Sequence, residues 1–285
     1  MDYSAPETIG EAVRLLAADD EARCLAGGQS LVAMMNTRIL APSHVISLRR
    51  IPGLDRIEAR DDGGLRIGAM VTHQSLAELS VEGAHRLLPV TARQIASPAI
   101  RAFGTLGGSL CHADPAADWP TAMVCIGAMI GIAGPHGERS EPVGEFIVDM
   151  LTTSLEPGEI LTHVDLPPAH DASGAAYLKL ARVEGDFATV AVAVTLRLAD
   201  ARCAEIGVAI GGCGPVPVRV EEAERILVGS ALSEADISSA ADILREAIAP
   251  EDDIRASAAY RKKILPGLLS RAIAAAKADA GGAGQ

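Results

Sequence analysis

The sequence predicts an α+β protein built from two successive domains, and three observations carry that prediction. Helix and strand signals alternate over residues 1 to about 50. From Ile57 the pattern changes to shorter strands joined by turn residues, with helices between them. Beyond about residue 175 three consecutive strand patterns are followed by three helical ones. A chain of 285 residues is long enough for a well-buried core and for two domains rather than one. The expected division is 1–170, with subdomains at about 1–55 and 56–170, then 175–280, with Ala169 to Gly174 as the connection.

Thr8 and Glu11 form a capping box ahead of Ile9, Ala12, Val13 and Leu16, which fall on one helical face. Arg23-Cys24-Leu25-Ala26 reads as a short buried strand. Leu31, Met34, Met35 and Ile39 mark a helix that must stop before Pro42, and His44 to Leu48 is a second strand. Asp61-Asp62-Gly63-Gly64 joins Ile57–Ala59 to Leu65–Gly68 as a hairpin. Thr72 caps a helix through Leu76 and Leu79, which accounts for His73, and a longer helix spans about Leu87 to Ile95. A helix from about Trp119, a hairpin turning at Gly134-Pro135-His136-Gly137 and a strand from Ile160 to Leu166 complete the first domain. In the second, Tyr177–Leu180, Thr189–Arg197 and Ala204–Ile210 are strands. Glu221–Val228, Glu234–Ile248 and Tyr260–Ala276 are helices covering one face of that sheet, and Ala278 to Gln285 is a frayed tail.

Composition narrows the function classes. Aromatics make up only 2% of the chain and the net charge is -12, so base stacking and phosphate-backbone binding are disfavoured. No apolar run approaches the roughly 20 residues that span a bilayer, and the first residues lack a signal segment, so the chain reads as cytoplasmic. The five cysteines are odd in number and not closely paired; they read as reduced, mostly buried small hydrophobes, and no metal site is expected.

Two glycine pairs stand out. Ala26-Gly27-Gly28-Gln29-Ser30-Leu31 lies between a strand end and a helix start, where free N–H groups and the helix dipole favour an anion. Thr105-Leu106-Gly107-Gly108-Ser109-Leu110 adds two short hydroxyl donors. Glycine allows close backbone approach, so the loops suit a cradle for an adenosine-diphosphate-like ligand, with Asp118 as a candidate acceptor for ribose hydroxyls. Neither loop is a dinucleotide Gly-x-Gly-x-x-Gly or a P-loop. No nucleophile elbow or acid/base pair is present, and no catalytic residue is assigned. A third diglycine, Gly211-Gly212, reads as a strand-end bulge.

Taken with Ala113-Asp114-Pro115-Ala116-Ala117-Asp118, with Tyr177-Leu178-Lys179, Arg182 and Asp186-Phe187-Ala188, and with Ser257-Ala258-Ala259-Tyr260-Arg261, these loops resemble the FAD-binding medium subunit of molybdenum hydroxylases of the carbon monoxide dehydrogenase and xanthine dehydrogenase type. The resemblance covers essentially the whole chain; Ser109 departs from it mildly, standing where relatives often carry asparagine. It implies a vanillyl-alcohol-oxidase (PCMH)-type FAD-binding domain followed by a small C-terminal flavoprotein domain. By the same similarity, Ala26 to Leu31 and Thr105, Gly107, Gly108 and Ser109 would wrap the pyrophosphate of FAD. Asp118 would hold the ribityl or ribose region, and Leu161 and Lys179 would approach the isoalloxazine. The implied partners are a molybdopterin-binding large subunit and an iron–sulfur small subunit, in a dimer of heterotrimers. Two other functions are compatible with the residues alone: a self-contained FAD-dependent oxidoreductase, and a non-enzymatic nucleotide-binding assembly protein.

Overall fold

The N-terminal unit consists of β1 (Asp2–Ser4), α1 (Ile9–Ala17), β2 (Arg23–Leu25), α2 (Leu31–Asn36) and β3 (His44–Ser47), its strands parallel in the order β1-β3-β2. The computed structural model describes residues 1–170 and 172–282. Thr8 caps α1, its hydroxyl accepting from the Glu11 N–H, but the expected capping box is only half made, because the Glu11 carboxylate accepts from the Glu7 N–H and not from that of Thr8. β1 was not expected, because three residues with little burial leave no alternation to read; its pairing on β3 defines it. The helix expected through Ile39 ends at Asn36, and Ile39 is exposed.

The central unit runs β4 (Ile57–Ala59), β5 (Leu65–Gly68), α3 (His73–Ala77), α4 (Leu87–Ala92), α5 (Pro98–Arg101), α6 (Leu106–His112), α7 (Asp118–Ile126), β6 (Met129–Gly134), β7 (Gly137–Pro142), α8 (Val143–Phe146), β8 (Ile147–Asp149), β9 (Thr152–Thr153) and β10 (Ile160–Leu166). Five of its strands form an antiparallel sheet in the order β4-β5-β10-β6-β7, β8 and β9 pair separately, and both expected hairpins are present. α4 stops at Ala92, shorter than its apolar pattern suggested, because the chain turns at Ile95 and Ala96 adopts φ 43°.

The C-terminal unit holds β11 (Ser173–Leu180), β12 (Val190–Ala199) and β13 (Arg202–Gly211), antiparallel in that order, then α9 (Glu221–Leu227), α10 (Glu234–Ala247) and α11 (Ala258–Gly282). β11 begins at Ser173, inside the stretch expected as a connection; residue 171 lies outside the described residues. The expected fraying from Ala278 is corrected as far as Gly282. There α11 continues because Asp279 accepts the Ala175 N–H at 2.9 Å and pairs with Arg86 at 2.9 Å; residues 283–285 lie outside the described part.

The C-terminal helices cover one face of this sheet as expected, and the other face is covered as well. Strand β12 is apolar on both sides: Val190, Val192 and Val194 join the core under the C-terminal helices, while Ala191 and Ala193 join the central unit's core with Trp119 and Tyr177. Helices therefore cover both faces, with α7 packed on β12 and β13 from the central unit. Every residue of α7 is buried, which fits its nearly uniform apolar sequence. Its C-terminal carbonyls, Val124 and Cys125, accept from the Arg219 guanidinium, and Arg219 in turn pairs with Glu224. Among the described residues no helix is long and apolar enough to cross a membrane.

Candidate functional site

The two glycine loops meet. Loop one leaves β2 at Ala26 and enters α2; the expected second loop is instead a capped helix start, with Thr105 at the N-cap and Leu106 to Leu110 already in the first turns of α6. A Cβ on Gly27 would collide with the Phe103 carbonyl oxygen and lie 2.9 Å from the Gly104 Cα, so only glycine lets loop one rest on the entry to loop two. Gly28 sits at φ 74°, a left-handed backbone that a side chain would strain. A Cβ on Gly108 would lie 3.5 Å from the Ala26 methyl, so the loops face each other along their length. Gly107 is pressed on Ala69, whose Cβ would be 2.6 Å from its own.

The loops divide their hydrogen-bonding capacity unequally. In loop two the N–H groups of Leu106 and Gly107 donate to Val71 and Ala69, and Gly108 donates to the buried Thr105 hydroxyl, which caps α6. In loop one, among the described residues, no protein acceptor meets the N–H groups of Gly28, Gln29 or Ser30. Ser30 makes no side-chain capping bond, and the half-buried Ser109 hydroxyl has no protein partner there either. Exposed Gln29 folds back on the Gly27 carbonyl at 3.2 Å, and Leu31 opens α2 half-buried. Free donors thus gather on loop one and at Ser109, over a floor made rigid by loop two.

Charge agrees with that geometry. Residues 22–54 and 83–113, which contain the two loops, carry no Asp or Glu, although the chain has 37 of them. This signal was readable in the sequence and marks the region as hospitable to an anion.

The remaining expected residues, Asp118, Lys179 and Leu161, have buried side chains. Lys179 is not an exposed strand lysine: its side chain is 4% exposed, and its ammonium lies 3.0 and 3.1 Å from the two Asp118 oxygens. Tyr177 donates to Asp118 Oδ1 at 2.8 Å. Burial pushes the Asp118 carboxyl up, opposed by the Lys179 charge and by hydrogen bonds from Lys179 and Tyr177, and the Tyr177 hydroxyl is also raised by burial. Both Asp118 oxygens are thus occupied within the protein. Leu161 is buried in the main core, beside a register shift between Leu161 and His163 in the pairing of β10 with β6.

Sequence reasoning missed two groups. The sequence marks Tyr177 only as a neighbour of Lys179, and capping by Thr72 gives His73 a sufficient local role. Thr72 does cap α3, but the His73 ring also accepts at Nδ1 from Trp119 Nε1 at 2.9 Å. No local pattern signals a contact between residues 46 apart in sequence. The five cysteines are all free, those at 125, 203 and 213 buried and those at 24 and 111 half-buried, and burial pushes the thiols at 24, 111, 125 and 213 up to about 12, which disfavours their thiolates.

Residues 1–169 match the family described as "FAD binding domain in molybdopterin dehydrogenase", and residues 175–276 match "CO dehydrogenase flavoprotein C-terminal domain". The chain belongs to this flavoprotein family. It is 37% identical to the carbon monoxide dehydrogenase medium chain of Afipia carboxidovorans over 98% of this chain and 97% of that one. It is 36% identical to the nicotine 6-hydroxylase medium subunit of Paenarthrobacter nicotinovorans, covering 97% of each. The solved CO dehydrogenase from Oligotropha carboxidovorans superimposes with a TM-score of 0.95 at 36% identity, over 98% of each chain. Quinoline 2-oxidoreductase from Pseudomonas putida 86 does so at 0.91 and 34%, over 99% of this chain and 98% of that one. This flavoprotein is accordingly an oxidoreductase subunit whose own cofactor is FAD. The molybdopterin and iron–sulfur centres of such enzymes belong to other subunits, and the described residues hold no cluster of His, Cys, Asp or Glu able to bind a metal. The facing loops, their free donors and the absence of Asp and Glu from the flanking sequence fit the pyrophosphate of FAD.

Proposed function

We propose that this flavoprotein is the electron-exit subunit of a molybdopterin-dependent hydroxylase or dehydrogenase, receiving electrons from the iron–sulfur clusters of a small partner subunit and passing them to an external acceptor such as a quinone or NAD. The reading rests above all on the facing glycine loops with free donors on one side. When bound, FAD supplies a centre that accepts electrons singly and delivers them in pairs. The protein's share is positional. N–H groups of Gly28, Gln29 and Ser30, with the hydroxyls of Ser30 and Ser109, would hold the pyrophosphate. Asp118, Tyr177 and Lys179 would back the rest of the cofactor as one buried unit. Residues 1–170 would carry the flavin, and 175–280 would brace it.

Partner subunits are supported by α2, an apolar helix with no buried residue, and by exposed Ile39, Ile100 and Phe103 near loop one. A large molybdopterin subunit and a small iron–sulfur subunit, arranged as a dimer of heterotrimers, complete the proposal. The relatives' printed names span carbon monoxide, nicotine and xanthine, so the organic substrate is read as chosen in the large subunit.

The purified chain is expected to show flavin absorbance. Changing Ser30→Ala together with Ser109→Ala should weaken FAD binding about tenfold, two lost hydrogen bonds at about 0.7 kcal/mol each, with thermal unfolding of the flavin-free form unchanged. A colourless wild-type protein, or an active native complex lacking molybdenum and iron, would overturn the assignment.

A further inference from the structure

His73 lies where α3, the entry to loop two and α7 touch, yet it belongs to neither loop. Its backbone N–H donates to the Gly104 carbonyl at 2.9 Å, and Thr72 forms a bridge with Thr105, so α3 is stitched to the entry of loop two. The Cδ2–Nε2 edge of the ring lies against Gly104, where an added Cβ would be 2.7 Å from both atoms. On the far side, Nδ1 accepts from Trp119 Nε1 at 2.9 Å, with ring centroids 6.0 Å apart. Tryptophan can only donate, so Nδ1 must be unprotonated and Nε2 carries the hydrogen of the neutral ring. Both residues are buried.

These contacts join into one path. Loop one rests on Phe103 and Gly104; Gly104 rests on His73; His73 holds Trp119; and Trp119 adjoins Asp118, which is held by Tyr177 and Lys179 of β11. We propose that His73 is a positioning residue for the flavin: acting through Gly104 and Trp119, it sets the distance between the two glycine loops and ties it to the start of α7. This proposal rests on the FAD reading given above. Capping of α3 by Thr72 does not require histidine at position 73, whereas the Trp119 bond requires an acceptor at the δ position.

Three variants of the full-length chain test it: His73→Ala, His73→Asn and Trp119→Phe. Asparagine places an acceptor oxygen where Nδ1 stands, so it preserves the bond to Trp119 while removing the ring. The readouts are the rate of FAD loss on dilution, the emission of Trp119, which is the chain's single tryptophan, and thermal unfolding of the flavin-free protein. His73→Ala and Trp119→Phe are expected to lose FAD about tenfold faster than wild type, the size of one strong buried hydrogen bond. His73→Asn should stay within about twofold. Trp119 emission should shift in His73→Ala and stay near the wild-type position in His73→Asn. The proposal fails if His73→Asn loses FAD as fast as His73→Ala, or if Trp119→Phe retains it as long as wild type. A wild-type chain without any flavin would instead overturn the FAD reading, and this role with it.

Discussion

Burial lowers the His73 imidazole to about 4 from its usual 6.5, and repulsion from Arg101 adds to the effect. Arg101 is itself held in place by the carbonyls of Ile95 and Ala96 and by Gln74. The folded protein therefore keeps this ring neutral while the unfolded chain protonates it near 6.5. Stability from this group is fully present above about pH 6.5, falls as the pH drops toward 4, and changes no further below that. The span corresponds to about 3 kcal/mol. Urea unfolding of wild type and His73→Asn at about pH 7.5 and about pH 4.5 should show the larger loss in wild type, because asparagine does not titrate. At this scale legibility was uneven. Thr8, Thr72 and the hairpin glycines act on neighbours within a few residues, so their roles could be read locally. The His73–Trp119 bond and the burial of Lys179 depend on chain segments brought together only by the fold.

Among the elements, α7 and β11 carry the most consequential pairing. Asp118 at the start of α7 and Lys179 on β11 form a buried ion pair, supported by the Tyr177 hydroxyl. Truncating one partner leaves the other charge buried and unpaired. Lys179→Met should therefore lower stability by about 3 kcal/mol, roughly 10 °C in the unfolding midpoint, and raise the Asp118 carboxyl further. The double change Asp118→Leu with Lys179→Met should recover much of that loss, which differential scanning calorimetry of the three proteins would measure. Elements with strong periodicity or clear turn residues, such as β10, α10 and both hairpins, appear where the sequence placed them. β1, the early start of β11 and the end of α11 did not, because each is set by a partner: β3 for the first, Asp279 and Arg86 for the others. The two glycine loops were legible as a pair. Their unequal roles were not, since the acceptors that occupy loop two, Ala69 and Val71, come from the end of the β4–β5 hairpin.

Over the whole molecule, the two family segments meet within residues 170–174, but the main core does not divide there. Ala175, Tyr177, Ala188, Ala191, Ala193 and Ala209 of the second segment belong to the same buried cluster as Trp119, Met123 and Leu110 of the first. A fragment ending at residue 169 would expose α7 along its length and is expected to be insoluble or molten. A near-native far-ultraviolet spectrum with a sharp unfolding transition would contradict this.

The row of alanines on β12 has a consequence for descent as well as for folding. Small side chains at 191 and 193 let α7 lie close to the sheet, so the contour of one half is cut to the other. A chimera joining residues 1–169 to a relative's second segment would inherit a seam made for a different helix. Viable exchanges should be those in which the alanine row and α7 are transplanted together, and in that sense the flavin-holding half and its brace form a single heritable unit.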